Sequence, residues 1–144
     1  MVVYLNSCLW IYESESKMVR RKIPQPTKRE LAILRVLWEK GPSTVRQVNE
    51  VLNKDRPTGY TTALKLMQLM AEKGLVRRDE SQRTHVYRAQ LAAESTQRQL
   101  VRDLLDRAFA GSAEKLVMQA LSTKKVSPAD LAKIRHMLDE LEGR

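Results

Sequence analysis

The sequence predicts a mainly α-helical fold with a small β-hairpin, arranged as a winged helix-turn-helix followed by a C-terminal helical region. Three helical segments precede two short extended runs, which is the element order of a winged helix. The remaining chain returns to helical periodicity. We expect a disordered extension over residues 1–22, a winged-helix DNA-binding domain over residues 23–90 and a helical dimerisation domain over residues 91–144.

The first three helices follow from caps and apolar stripes. Helix one is predicted over residues 27–40, because Thr27 is a good N-cap, Glu30 has the capping-box spacing and Gly41-Pro42 stops the helix. Helix two is predicted over residues 44–53, with Ser43 or Thr44 as its cap. Helix three runs from residue 59 or 60 to 73 and ends at Gly74, the expected residue after a helix.

Two extended runs, residues 75–79 and 84–89, flank a polar turn and predict the hairpin. The last part is predicted to be helical over residues 91–109, over residues 112–121, and from Ser127-Pro128 onward, where a cap and a proline start a helix.

Composition removes several classes of function. Apolar residues make up 42% of the 144 residues, which is enough for a packed core. One cysteine and two histidines are too few for a disulfide framework or a zinc cluster, so we expect no metal and no cofactor. No apolar run is long enough to span a membrane and no export signal is evident, so we predict a cytoplasmic protein without membrane insertion.

The positive charge lies almost entirely in the first part of the chain. Residues 1–90 carry 17 Lys and Arg against 9 Asp and Glu, a balance of +8, whereas residues 91–144 carry 9 against 8, a balance of +1. This asymmetry is typical of a nucleic-acid surface on one half, although a solvated basic face has the same composition.

Helix three supplies the candidate recognition face. At about 100° per residue, Ala63, Leu66, Met67 and Met70 form a core stripe. Thr61, Lys65, Gln68 and Glu72 lie on the opposite face. The first three offer the hydrogen-bonding groups that read base edges, while Leu64 flanks them. The candidate phosphate contacts are Thr44, Arg46 and Thr58 near helix starts, and Arg77 and Arg83 on the hairpin.

The last helices are too thin to bury their apolar stripes within one chain, which predicts a homodimer. The candidate dimer residues are Leu100, Leu104, Leu105, Phe109, Leu116, Val117, Leu131, Ile134 and Leu138.

Two rival functions are weaker. An enzyme is disfavoured because the sequence has no Gly-rich phosphate loop, no Ser/His/Asp set and no metal cluster. A winged-helix module that acts as a protein-protein adaptor stays open, although such a surface would favour exposed apolar anchors over Thr61, Lys65 and Gln68.

Five blocks in order resemble one family, the penicillinase and methicillin-resistance repressors of bacteria. They are residues 30–38 with Trp38 near the helix end, Tyr60-Thr61-Thr62-Ala63 continuing to Lys73-Gly74-Leu75-Val76, residues 83–88, Gly111-Ser112 with Leu116-Val117, and residues 127–138. The second block adds Tyr60 and Thr62 to the candidate DNA contacts.

This resemblance implies a homodimer that binds a near-palindromic operator and represses transcription, with residues 91–142 as the dimer arm. It also implies a membrane-bound sensor protease as a partner, because relatives are inactivated by cleavage in that arm. The family's Asn-Phe cleavage bond falls near Gln119-Ala120, where this sequence has neither residue. The copper-responsive branch has a C-terminal cysteine motif that this sequence lacks.

Overall fold

A computed structural model of the chain describes residues 25–143, so the extension predicted over residues 1–22 lies outside the described part. The order of elements is α1 (Lys28–Lys40), β1 (Ser43–Thr44), α2 (Val45–Asp55), α3 (Tyr60–Lys73), β2 (Val76–Asp79), β3 (Val86–Ala89), α4 (Ala93–Ala108), α5 (Ala113–Thr123) and α6 (Pro128–Glu142). The predicted fold class, a mainly helical winged helix with a small β-sheet, is confirmed. No helix among residues 25–143 is both long and apolar enough to cross a membrane.

The first three helices pack through their apolar stripes. The fully buried side chains are Ile33 and Leu34 of α1, Val48 of α2, and Ala63, Met67 and Met70 of α3. Burying one of the larger of these side chains stabilises the fold by about 1.5–3 kcal/mol. The predicted core stripe of α3 is therefore confirmed for Ala63, Met67 and Met70, whereas its fourth member, Leu66, is only half-buried. Since this stripe faces the core, the opposite side of α3 faces solvent.

The predicted hairpin is part of a three-stranded antiparallel sheet in the order β1-β3-β2. β2 and β3 form the hairpin, while the two residues of β1 pair with Tyr87 and Val86. Because side chains alternate along a strand, Val76, Arg78 and Tyr87 share the core-side face. Arg77 and Arg88 lie directly opposite each other on the outer face.

The helix caps differ from the prediction at α1. The Thr27 hydroxyl accepts the backbone N–H of Glu30 at 3.3 Å, but the Glu30 carboxylate pairs with the Lys73 ammonium of α3 at 2.6 Å. The reciprocal half of the predicted capping box is therefore replaced by a tertiary ion pair. A complete capping box forms instead at α2, where Thr44 and Gln47 exchange hydrogen bonds at 2.9 and 3.2 Å.

The chain divides into two compact units, one ending at Thr96 and the other beginning at Gln97. The first unit continues past residue 90 because the Trp38 indole N–H donates to the Leu91 carbonyl at 2.8 Å and Thr96 is buried. In the second unit, α5 and α6 bury no residue at all. Its helices therefore have no core of their own within a single chain.

Candidate nucleic-acid interface

A groove of about 480 Å³ separates α3 from the hairpin, with the start of α2 at one side. Its lining contains three arginines, several hydroxyls, an amide and an imidazole, and no acidic residue. The lining residues are Thr44, Val45, Arg46, Tyr60, Leu64, Gln68, Arg78, Arg83, Thr84, His85 and Tyr87. An acid-free concave surface of this kind attracts a polyanion.

The outward face of α3 borders this groove. Thr61, Lys65 and Gln68 are all exposed, and they lie opposite the buried Ala63 and Met67. Gln68 belongs both to this face and to the groove lining. The face thus presents a hydroxyl, an ammonium and an amide on a rigid helix, as base readout in a major groove requires.

The start of α2 adds a cation beside a helix N-terminus. Arg46 is exposed in the first turn, which contains no acidic residue. The Thr44 hydroxyl accepts the Gln47 N–H as the helix cap. Helix N-termini favour anions because their first N–H groups lack partners in the helix. Arg46 therefore lies in a position that favours a phosphate.

The hairpin supplies two further arginines to the groove, Arg78 and Arg83. Arg78 forms an ion pair with Glu80, and the Tyr87 hydroxyl is the main cause that raises the pKa of Arg78 above its ordinary value. At the turn, the Asp79 carboxylate accepts the Ser81 backbone N–H at 2.9 Å. The turn is thereby closed by a local side-chain hydrogen bond.

Three predicted contact residues lie away from both the groove and the outward face of α3. Thr58 and Thr62 line a second depression, beside the first turn of α1. The Thr58 backbone N–H donates to the Asn53 side chain at 2.6 Å. Arg77 lies on the outer face of the hairpin.

Arg78, Thr84 and His85 line the groove but are not among the contact residues predicted from the sequence, although Arg78 is one of the arginines that give the predicted hairpin its charge. Alternation from the apolar Val76 could have identified Arg78, because residues two apart share a face of a strand. Thr84 and His85 come from the turn, where no periodicity operates. Within residues 25–143 no three His, Cys, Asp or Glu side chains are grouped to hold a metal ion. The His85 imidazole adds a hydrogen-bonding group to the groove lining.

A family model, the penicillinase repressor, matches residues 26–140, which is most of the chain. The chain belongs to the penicillinase repressor family. The resemblance found in the sequence is therefore confirmed. The transcriptional regulator BlaI of Mycobacterium tuberculosis, in two strains, is 32% identical to it over 116 residues, covering 79% of this chain and 83% of the relative. A solved transcriptional regulator from Thermotoga maritima aligns with 97% of this chain and 89% of its own, with 17% identity and a TM-score of 0.44.

Membership of the penicillinase repressor family decides the class of function. The family is one of transcriptional repressors, and the relatives are named as transcriptional regulators rather than as enzymes. The chain is accordingly a transcriptional repressor.

Proposed function

We propose that this repressor binds a near-palindromic DNA operator as a homodimer in the cytoplasm and so blocks transcription. The observation that carries the proposal is the polar outward face of α3 beside an acid-free groove lined by Arg46, Arg78 and Arg83. A double helix offers a matching surface, because its bases lie between two rows of phosphates.

The division of labour follows from where each side chain lies. Lys65 and Gln68 on the outward face of α3 would contact base edges, with Thr61 and Leu64 beside them. Arg46 and Arg83 at the two sides of the groove would contact phosphates. Arg77, on the outer face of the hairpin, would contact a flanking phosphate.

The homodimer is supported by the apolar surface of the second unit. Its exposed apolar side chains are Val101, Leu104, Val117, Met118, Met137, Leu138 and Leu141, each at least 45% exposed. Leu100, Leu105, Phe109, Leu116, Leu131 and Ile134 are only half-buried. A second copy that covers these side chains would supply the core that one chain lacks.

The sensor protease remains a prediction of the family resemblance. Near the family's cleavage position, Gln119 and Ala120 are exposed on α5. Their helical hydrogen bonds would have to open before a protease could bind this segment in an extended form.

Operator binding is tested by replacing the two proposed base-contact residues. Lys65→Ala and Gln68→Ala should each weaken binding to operator about tenfold more than binding to scrambled duplex, because a good base contact discriminates by about 1–3 kcal/mol. Gln99→Ala, an exposed glutamine on α4, is the matched control and should leave the ratio unchanged. An unchanged ratio for both α3 variants would contradict the proposed recognition face.

A further inference from the structure

The second depression of the first unit has the size and chemistry of a small-molecule site. It measures about 530 Å³ and is formed by the first turns of α1, the end of α2 and the start of α3. Small-molecule sites have volumes of about 300–1,000 Å³ and are mostly apolar with a few polar groups. This depression is distinct from the groove between α3 and the hairpin.

Its floor is apolar and continuous with the core. Ile33 is fully buried, while Leu52 and Leu66 are half-buried and pack against the core. Leu52 and Leu66 leave part of their surface uncovered. An apolar group placed on this floor would remove that surface from water, which is favourable in proportion to the area covered.

Its rim is cationic. Lys28, Arg29 and Arg56 are exposed around the opening, against one lining acid, Asp55, so the lining carries a net charge of +2. Within residues 25–143, none of these three cations has a carboxylate within 4.0 Å. The rim therefore has uncompensated positive charge directly beside an apolar floor.

We propose that this depression binds a small molecule that carries one carboxylate and an apolar body. Binding of this molecule would weaken the binding of the repressor to its operator. The apolar body would cover Leu52 and Leu66, and the carboxylate would lie between Arg29 and Arg56. A double helix fits the site less well, because its rigid phosphate rows cannot enter an apolar depression. An uncharged ligand would leave the rim cations without a partner.

The effect on the operator rests on the proposed function. Gly59 and Thr62, at the start of α3, line the depression, so an occupant contacts the helix that we propose reads the DNA. It would also add negative charge near the DNA phosphates. By linkage, the operator would weaken ligand binding by the same factor, at least about fivefold.

The test uses octanoate as the probe and the full chain labelled for amide NMR, without DNA. Octanoate should shift the amide signals of Ile33, Leu52 and Leu66 saturably, whereas octan-1-ol and octylamine should bind much more weakly. The double variant Arg29→Glu, Arg56→Glu changes the net charge of the lining from +2 to −2. This charge reversal should weaken octanoate binding about tenfold. Arg35→Glu, an exposed arginine of α1 outside the lining, is the matched control.

Several outcomes would overturn the proposal. Equal binding of octan-1-ol, shifts confined to α4–α6, or equal weakening by Arg35→Glu would remove the carboxylate site. The slope of log DNA affinity against log salt could instead fall by about two in the double variant, with no saturable octanoate shifts. That result would make the rim a contact for the DNA backbone. In a separate operator titration, octanoate should weaken operator binding by the wild type and by Arg35→Glu, but not by the double variant. Octanoate that binds but leaves operator affinity unchanged would overturn the regulatory effect alone.

Discussion

Glu30 and Lys73 form an ion pair between the first turn of α1 and the last turn of α3. Glu30 is 3% exposed and its Oε2 atom has no hydrogen-bond partner, whereas the Lys73 side chain is 36% exposed. The two partners are therefore unequal. If the pair is broken, the lysine can turn into water, but the carboxylate stays buried.

This inequality predicts unequal effects of the two substitutions. Lys73→Met should lower the free energy of unfolding by about 3 kcal/mol, because it leaves a buried carboxylate without its charge partner. Glu30→Gln should cost only about 1 kcal/mol, since no buried charge remains. Urea unfolding measures both. Lys40→Met, at an exposed lysine of α1, should change the value by less than about 0.5 kcal/mol. A larger cost for Glu30→Gln would contradict the desolvation argument.

Asp79 predicts a local pH dependence. The Ser81 backbone N–H is the main cause that lowers the pKa of Asp79 below its ordinary value. Because the pKa of Asp79 is lower in the folded protein, the hydrogen bond stabilises the turn at pH values above the ordinary pKa. This stabilisation is lost as the pH falls through the folded pKa. An NMR titration should show a lowered midpoint for wild type. Ser81→Pro removes the N–H and should raise the midpoint, whereas Ser81→Ala keeps that donor and should raise it less. An equal rise in both variants would point away from the backbone donor.

At the scale of elements, the hairpin carries arginines on both faces, and only the core-side face borders the groove. Arg78 lies on that face and Arg83 in the turn, while Arg77 and Arg88 lie on the outer face. Like charges directly opposite each other destabilise a strand pair, so a nearby anion would relieve the Arg77–Arg88 repulsion. The hairpin is therefore suited to phosphates rather than to base edges.

The hairpin prediction concerns salt. Arg83→Ala should weaken binding to operator and to scrambled duplex about equally, and it should reduce the slope of log affinity against log salt by about one. Binding titrations at several salt concentrations measure this slope. Arg98→Ala, an exposed arginine of α4, should leave the slope unchanged. A selective loss of operator binding in Arg83→Ala would instead assign this residue to base readout.

At the scale of the whole molecule, charge and apolar surface are segregated. The first unit has the basic groove and a complete core, whereas the second has exposed apolar helices and nearly balanced charge. This segregation matches a repressor in which one unit contacts DNA and the other contacts a second copy. The first unit, which contains the core, can then be tested without the second.

The dimer prediction uses a charge on the apolar surface. Leu104 is 47% exposed on α4, so replacing it with Glu should disturb the fold of a single chain little. Burying the charge of that Glu at an interface between two copies is costly. Leu104→Glu should therefore sediment as a monomer where the wild type is a dimer, and it should weaken full operator more than a half-site. Arg102→Glu, at an exposed position of the same helix, should remain a dimer. A fragment that ends at Thr96 and still dimerises would contradict the proposed interface.

Local features of this protein could be determined from the sequence alone. The caps at Ser112 and Ser127, the stop at Gly74 and the buried stripe of α3 all depend on residues within one or two turns of each other. Helical periodicity and capping chemistry act over that range, so their signals are present in short windows. The five blocks of family resemblance are likewise present in the sequence.

Contacts between distant segments are evident only in the tertiary structure. In it, Ser43 and Thr44 pair with β3, the Glu30 carboxylate pairs with Lys73, and the first unit extends to Thr96. The tertiary structure also brings Thr84 and His85 of the hairpin turn to the groove. Each of these depends on partners tens of positions away. Only packing of the whole unit brings such residues within reach, because a local window contains one partner and not the other.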